Sequence, residues 1–269
     1  MKSRLICIIL LFLLLLTSTV SAQTDSYLDM VQDIIDRYQT VNEASSSAPQ
    51  QQVNGAYRLV ELFSLIAVKN AKTTKQKDAV LQIIDDFGKG NDNSTSAPQQ
   101  LVNGTYRLTE VLTVLAYEMD ANGKYSDLIS GIFETYQKND ASANSAVQQA
   151  TNGLYRSVEL LSIIAMENAT TAKQRDFISG VLEDYENNDK SASSAPQQQV
   201  NGAYRMTELL MVISLELDVT GSFNSMIQNV ISDYQTFDAN ASSAPQQLVN
   251  GLYRSVELAT IIALEFAQQ

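Results

Sequence analysis

The chain has 269 residues, 45% of them hydrophobic, with no His, no Trp and a single Cys. That apolar share supports a buried core. The missing residue types exclude imidazole-dependent nucleophilic chemistry, His/Cys zinc sites and a disulfide framework. Lys and Arg number 18 against 30 Asp and Glu, a formal charge of −12, which repels nucleic acid and anionic lipid.

Residues 1–22 carry Lys2 and Arg4, an apolar run from Leu5 to Leu16, and small residues Val20 and Ala22 ahead of Gln23. This pattern predicts a secretory signal peptide, because the apolar run is short for a bilayer span. The alternative is an uncleaved N-terminal anchor. Cys7 lies inside the run, so an exported chain would contain no cysteine and would rely on packing alone. Loss of Lys2 and Arg4 leaves 16 basic against 30 acidic residues, or −14. The expected location is secreted, periplasmic or extracellular, with no membrane span after signal cleavage. Asn93, Asn103, Asn168 and Asn240 each open an Asn-x-Ser/Thr triplet, a glycan acceptor only in a eukaryotic secretory pathway.

From residue 25 the sequence repeats itself. Asn-Gly-x-Tyr-Arg begins at 54, 103, 152, 201 and 250, at a constant interval of 49 residues. The units are 25–73, 74–122, 123–171, 172–220 and 221–269. In unit one, Leu28, Val31, Ile34, Ile35 and Tyr38 fall three and four apart, which predicts an amphipathic helix over about 27–38. The polar stretches Thr40–Ser46 and Asn91–Thr95 read as loops. Tyr38, Phe87, Tyr136, Tyr185 and Tyr234 occupy one position of the first helix and read as core. A second helix opens at a Ser-x-x-Gln capping box, Ser47/Gln50 and its copies at Ser96, Ser145, Ser194 and Ser243. Pro49, Pro98, Pro196 and Pro245 suit the first turn; unit three has Val147 there. That helix continues for about twenty residues.

The fold expected is therefore all-α: a right-handed-type α-solenoid or array of five 49-residue helix–loop–helix repeats, with fraying ends. It resembles tetratricopeptide arrays in architecture only, since the period is 49 rather than about 34. Junctions alternate. Units two and four begin with Thr74-Lys75-Gln76-Lys77-Asp78 and Ala172-Lys173-Gln174-Arg175-Asp176, units three and five with Gly123-Lys124-Tyr125-Ser126 and Gly221-Ser222-Phe223-Asn224. Gly123 and Gly221 suit left-handed helix endings.

A polar stripe recurs on the second helix without drift. Asn54, Tyr57, Arg58 and Glu61 lie at i, i+3, i+4 and i+7 and share one face, opposite Ala56, Val60, Phe63 and Ala67. The copies are Asn103, Tyr106, Arg107 and Glu110; Asn152, Tyr155, Arg156 and Glu159; Asn201, Tyr204, Arg205 and Glu208; and Asn250, Tyr253, Arg254 and Glu257. One reading is a buried ladder of ion pairs and amide bonds. The other is a groove in which Asn and Gln clamp a backbone, Arg takes a carboxylate and Tyr supplies contact area. The mid-helix glycines, Gly55 and its copies, predict close helix approach.

No catalytic residue, cofactor or metal is expected. Acidic stretches such as Asp85-Asp86 and Asp184–Asp189 lack EF-hand spacing and read as solvated loops. The leading functional expectation is a secreted, non-enzymatic helical-repeat protein that binds a protein or peptide, possibly itself, at the cell surface. The alternatives are a carrier of a small apolar or amphipathic ligand between its helices and an Asp/Glu-dependent hydrolase.

Overall fold

The computed structural model describes residues 20–189, 192 and 194–268, all helix and short turns with no strand among them. The expected signal segment lies outside the described residues except for its last three, which begin the first helix. The helices are α1 Val20–Ala44, α2 Ala48–Asn70, α3 Thr74–Asn93, α4 Ala97–Met119 and α5 Ser126–Ser142. They continue as α6 Ala146–Asn168, α7 Ala172–Asp184, α8 Ala195–Leu217, α9 Asn224–Asn240 and α10 Ala244–Gln268. A π-helical turn, Tyr185–Asp189, extends α7.

The even-numbered helices form an inner set. Each packs on two others in the order α2, α4, α6, α8, α10, and α10 packs back on α2. The ends therefore meet, and the open stack with fraying ends expected from the repeat does not form. Glycine makes the approach possible. A methyl group placed on Gly55 would sit 2.9 Å from Leu252 Cβ; on Gly104, 3.0 Å from Ala56 Cβ; on Gly153, 2.7 Å from Thr105 Cβ. On Gly202 it would sit 3.1 Å from Leu154 Cβ, and on Gly251, 2.9 Å from Ala203 Cβ. Every inner helix thus meets its neighbour at the same height, so all five run parallel. Their interior is filled: Leu59, Phe63 and Ile66, spaced four and three apart, are buried, as are their copies. Phe63 shares its level with Ala259 on the adjoining helix, so large and small side chains interdigitate as close packing requires.

The odd-numbered helices run antiparallel on the outside, each in the groove between two inner helices; α1 lies against both α10 and α2. They are longer than the sequence pattern implies. The stretches expected as loops are helical through Ala44 and Asn93, and Asp184–Asp189 is helix rather than acidic loop. Tertiary contact holds those last turns: Tyr57 Oη donates to Asn91 Oδ1 at 2.8 Å, and Asn103 Nδ2 donates to the Phe87 carbonyl at 3.1 Å. Side-chain hydroxyls of Thr40, Ser45 and Ser94 bond carbonyls one turn back, closing the helix ends.

The capping boxes also move. Ser47, Ser96 and Ser194 make no side-chain cap bond, whereas Ser145, whose helix has Val147 in place of the first-turn proline, accepts from the Gln148 amide at 3.2 Å. Gln50, Gln148, Gln197 and Gln246 reach forward to the Asn one turn ahead, a competing partner at i+4. Full capping boxes occur instead on the outer helices, Thr73/Gln76 and Thr171/Gln174. The alternate junctions use the left-handed glycines, Gly123 at φ +68° and Gly221 at φ +73°. There Asp120 and Asp218 accept the amides of Tyr125 and Phe223.

Candidate functional site

The polar stripe faces the outer layer and is largely sealed by it. Each Arg pairs with the Glu three residues on: Arg58–Glu61 at 2.8 Å, Arg107–Glu110 at 2.5 Å, Arg156–Glu159 at 2.6 Å and Arg205–Glu208 at 2.5 Å. Arg254 repeats the contact with Glu257. The Arg then reaches an acid on the outer helix of its own unit: Asp184 for Arg205 at 3.5 Å and Asp233 for Arg254 at 3.4 Å, with Asp86 farther from Arg107 at 3.9 Å. Unit one reverses the sign: Arg37 replaces that Asp and takes Glu61 at 2.9 Å. The side chains are mostly covered, 16% exposed for Arg156 and 24% for Glu159. Burial therefore raises the carboxyls of Glu110, Glu159, Glu208 and Glu257, and the paired guanidinium partly offsets it. Burial also lowers Arg58.

The tyrosines stack on the next unit. Tyr57 meets Phe87 at 4.8 Å between ring centres, Tyr106 meets Tyr136 at 4.7 Å, and Tyr155 meets Tyr185 at 5.2 Å. Tyr204 meets Tyr234 at 5.5 Å, and Tyr253 completes the circuit on Tyr38 at 5.3 Å. Tilted and edge-on geometry of this kind is the favourable arrangement. Burial pushes the Tyr57 hydroxyl up to about 12. Asn54 and Asn103 are buried, while Asn152, Asn201 and Asn250 are half-buried. The twenty stripe residues are thus distributed among five separate seams, each holding the Tyr of one unit with the Arg and Glu of the next, rather than along one groove.

Openings lie at the rim where the inner helices begin. An apolar mouth of about 120 Å³ lies on the ring axis, bordered by Pro49, Pro98, Leu101, Val147 and Ala150, with Gln52 and Gln199 as its polar members. A shallow, amide-lined cleft of about 500 Å³ sits beside unit three, between Asn139, Asn144, Gln148 and Asn152. Among the Asn-x-Ser/Thr triplets, Asn93 is exposed, Asn103 is buried against Phe87, and Asn168 donates to the Ile164 carbonyl.

The opposite rim, where inner helices end and outer helices begin, differs in two ways. Glutamates that no sequence pattern singles out are buried or half-buried there. Glu118 is 2% exposed, beside Asn70 and Lys72, and burial pushes it up to about 7. Glu216, whose carboxylate oxygens make no hydrogen bond, is likewise pushed up to about 7 by burial, and buried Glu265 is raised beside Asp218. Their only sequence signal was an acid at one helix-end position. The second difference is apolar exposure. Of nine large apolar side chains exposed among the described residues, only Val41 and Val147 are at the first rim; the other seven are here, with Val219 at 89%.

The fold and site define an all-helical protein whose repeated polar residues hold its layers together. Among the described residues, no helix is long and apolar enough to cross a membrane and no group of three or more His, Cys, Asp or Glu is placed to hold a metal. Comparison with family models, curated proteins and solved structures returned no match.

Proposed function

We propose that this is an exported, non-enzymatic helical-repeat protein, a solenoid of five units closed on itself, that works by binding a protein or peptide partner across one rim. The observation carrying this reading is the segregation of exposed apolar side chains to the rim where the outer helices start. Grouped surface apolar residues mark interaction sites, whereas isolated ones do not. The polar stripe supports the reading by elimination: its Arg, Glu and Tyr are engaged in the seams and offer no groove to a partner.

The carrier alternative has less support. A ligand-sized pocket measures roughly 300–1,000 Å³ and is mostly apolar; the axial mouth is apolar but about 120 Å³, and the cleft of about 500 Å³ is shallow and lined by amides and hydroxyls. The hydrolase alternative would need a pair of carboxyls with different environments facing one cleft. The acids of the stripe instead face guanidinium groups, and the carboxyl pair Glu265 and Asp218 at the far rim is buried, at 5% and 9% exposure.

The test is site-specific photo-crosslinking in the cells that make the protein. A photoreactive residue at Val219, on the apolar rim, should give a discrete protein adduct. The same residue at Val147, on the opposite rim, should give none. Equal labelling at both positions, or none at either, would remove the rim as the working surface.

A further inference from the structure

Six Asn-Gly pairs occur in the chain, with Asn at 54, 103, 122, 152, 201 and 250. Five of them lie inside α2, α4, α6, α8 and α10, where the glycine is buried against the neighbouring inner helix. The sixth, Asn122-Gly123, sits in the turn between α4 and α5, and both residues are exposed. Gly123 has φ +68°, and a methyl group built on it would meet nothing closer than Ser126 Oγ, at 3.7 Å. Its amide donates to the Asp120 carbonyl at 3.1 Å, closing the turn. The sister junction holds Thr220-Gly221 at the same two positions, with Gly221 at φ +73° and its amide on the Asp218 carbonyl at 3.1 Å.

We propose that Asn122-Gly123 is a site of slow self-modification, where asparagine becomes aspartate or isoaspartate through a cyclic imide, and that the fold confines this reaction to one of the six pairs. The Gly123 nitrogen gives up its proton and attacks Cγ of Asn122. A bond forms between them, the Cγ–Nδ2 bond breaks, and ammonia leaves with a proton regained from solvent. One water then opens the imide at either carbonyl, leaving a side-chain carboxylate or a main chain routed through Cγ. Solvent water is the only co-reactant. Glycine favours the attack because no Cβ screens its nitrogen. Asn144, exposed in the loop between α5 and α6, is followed by Ser145, whose Cβ hinders the same step. Ring closure needs the Asn backbone turned well away from the helical ψ of about −42°. The five helical pairs reach that geometry only when a packed inner helix opens. Local opening costs little at a loop tip and up to the whole folding free energy in core helices. Either product adds a negative charge, and isoaspartate also lengthens the main chain by a methylene. Asp120, two residues away, accepts the Tyr125 amide at 3.0 Å and the Ser126 hydroxyl at 3.1 Å. The lengthened turn therefore loosens the bonds that seat the start of α5.

The tryptic peptide Leu108–Lys124 contains no Asn or Gln besides Asn122, so its deamidation reads a single residue. When the folded full chain is incubated in heavy-oxygen water at mildly alkaline pH, this peptide should gain the mass of one labelled deamidation. It should also separate into aspartyl and isoaspartyl forms on chromatography. Peptides holding the five helical pairs should convert at least about tenfold more slowly. In concentrated urea all six pairs should convert at similar rates. Asn122→Thr, which copies the sister junction, should keep the circular dichroism spectrum and remove the acidic isoform that accumulates on isoelectric focusing. An unchanged Asn122 in the folded chain overturns the inference, and so does a smaller rate difference between it and the helical pairs. Continued protection of the five pairs in urea overturns it too, because neighbouring sequence rather than the fold would then set the selectivity.

Discussion

The seam that closes the ring, α10 against α2, can be set beside the seam between α6 and α8 in its interior. Both have a glycine against the neighbour's Cβ, Gly55 at Leu252 and Gly202 at Leu154. Both have a Gln at the same height donating to the neighbouring first turn, Gln52 to the Pro245 carbonyl and Gln199 to the Val147 carbonyl, each at 3.0 Å. Both have Val at the position facing that glycine, Val256 and Val158. The seams α4/α6 and α8/α10 are of another kind: Thr109 donates to the Gly153 carbonyl at 3.1 Å and Thr207 to the Gly251 carbonyl at 2.9 Å. Closure thus uses an ordinary seam of one of two existing types. The ring needs no adapter, and its ends are as well satisfied as its middle.

The severest way to break that equivalence is to delete residues 221–269. An open stack would lose one unit and keep its melt. The closed ring instead exposes buried faces of α2 and α8, so a single cooperative thermal transition should disappear and the product should self-associate, as read by circular dichroism and size exclusion.

The glycine contacts grade the seams next. A methyl group at Gly153 would sit 2.7 Å from Thr105 Cβ and 3.1 Å from its backbone carbon, whereas at Gly202 it meets Leu154 Cβ at 3.1 Å. Gly→Ala gains about 1 kcal/mol of helix propensity, while overpacking costs about 1–3 kcal/mol. Gly153→Ala should therefore destabilise by about 1–2 kcal/mol, Gly55→Ala by less, and Gly202→Ala hardly at all, measured by denaturant unfolding.

Arg156→Ala tests the stripe. The pair is neither exposed, where it would contribute roughly 0–1 kcal/mol, nor fully buried, where a lost partner costs about 3–5 kcal/mol. The expected loss is about 1–3 kcal/mol. Arg58→Ala should cost less despite deeper burial, because Glu61 keeps Arg37. Equal losses would mean that Arg37 does not share the load.

The smallest effect is on pH. Glu118 and Glu216 are raised to about 7 by burial, so their contribution is present below the ordinary carboxyl range. It is lost as pH rises through about 7, because ionisation then puts charge into poorly solvated sites. Stability should fall by an amount of order 1 kcal/mol between pH 5 and pH 8. Glu118→Gln and Glu216→Gln together should flatten that slope in a melting-temperature series.

The constant 49-residue spacing, the two-helix unit, the close-approach glycines, the core aromatics and the left-handed turns at Gly123 and Gly221 were legible in the sequence. Each depends on local stereochemistry or on a helical period repeated five times. The length of the outer helices was not legible, because bonds such as Asn103 to Phe87 hold a last turn whose own residues favour a loop. Nor was the cap choice, because the Gln that could reach back has an Asn one turn ahead. Whether the stripe was a groove or a set of seams depended on a covering layer that helical periodicity leaves unspecified. Closure itself was decided only in three dimensions. It requires each seam to rotate the chain by one fifth of a full turn, a sum of small packing angles set by glycine contacts and interlocking side chains, and no local pattern encodes that sum.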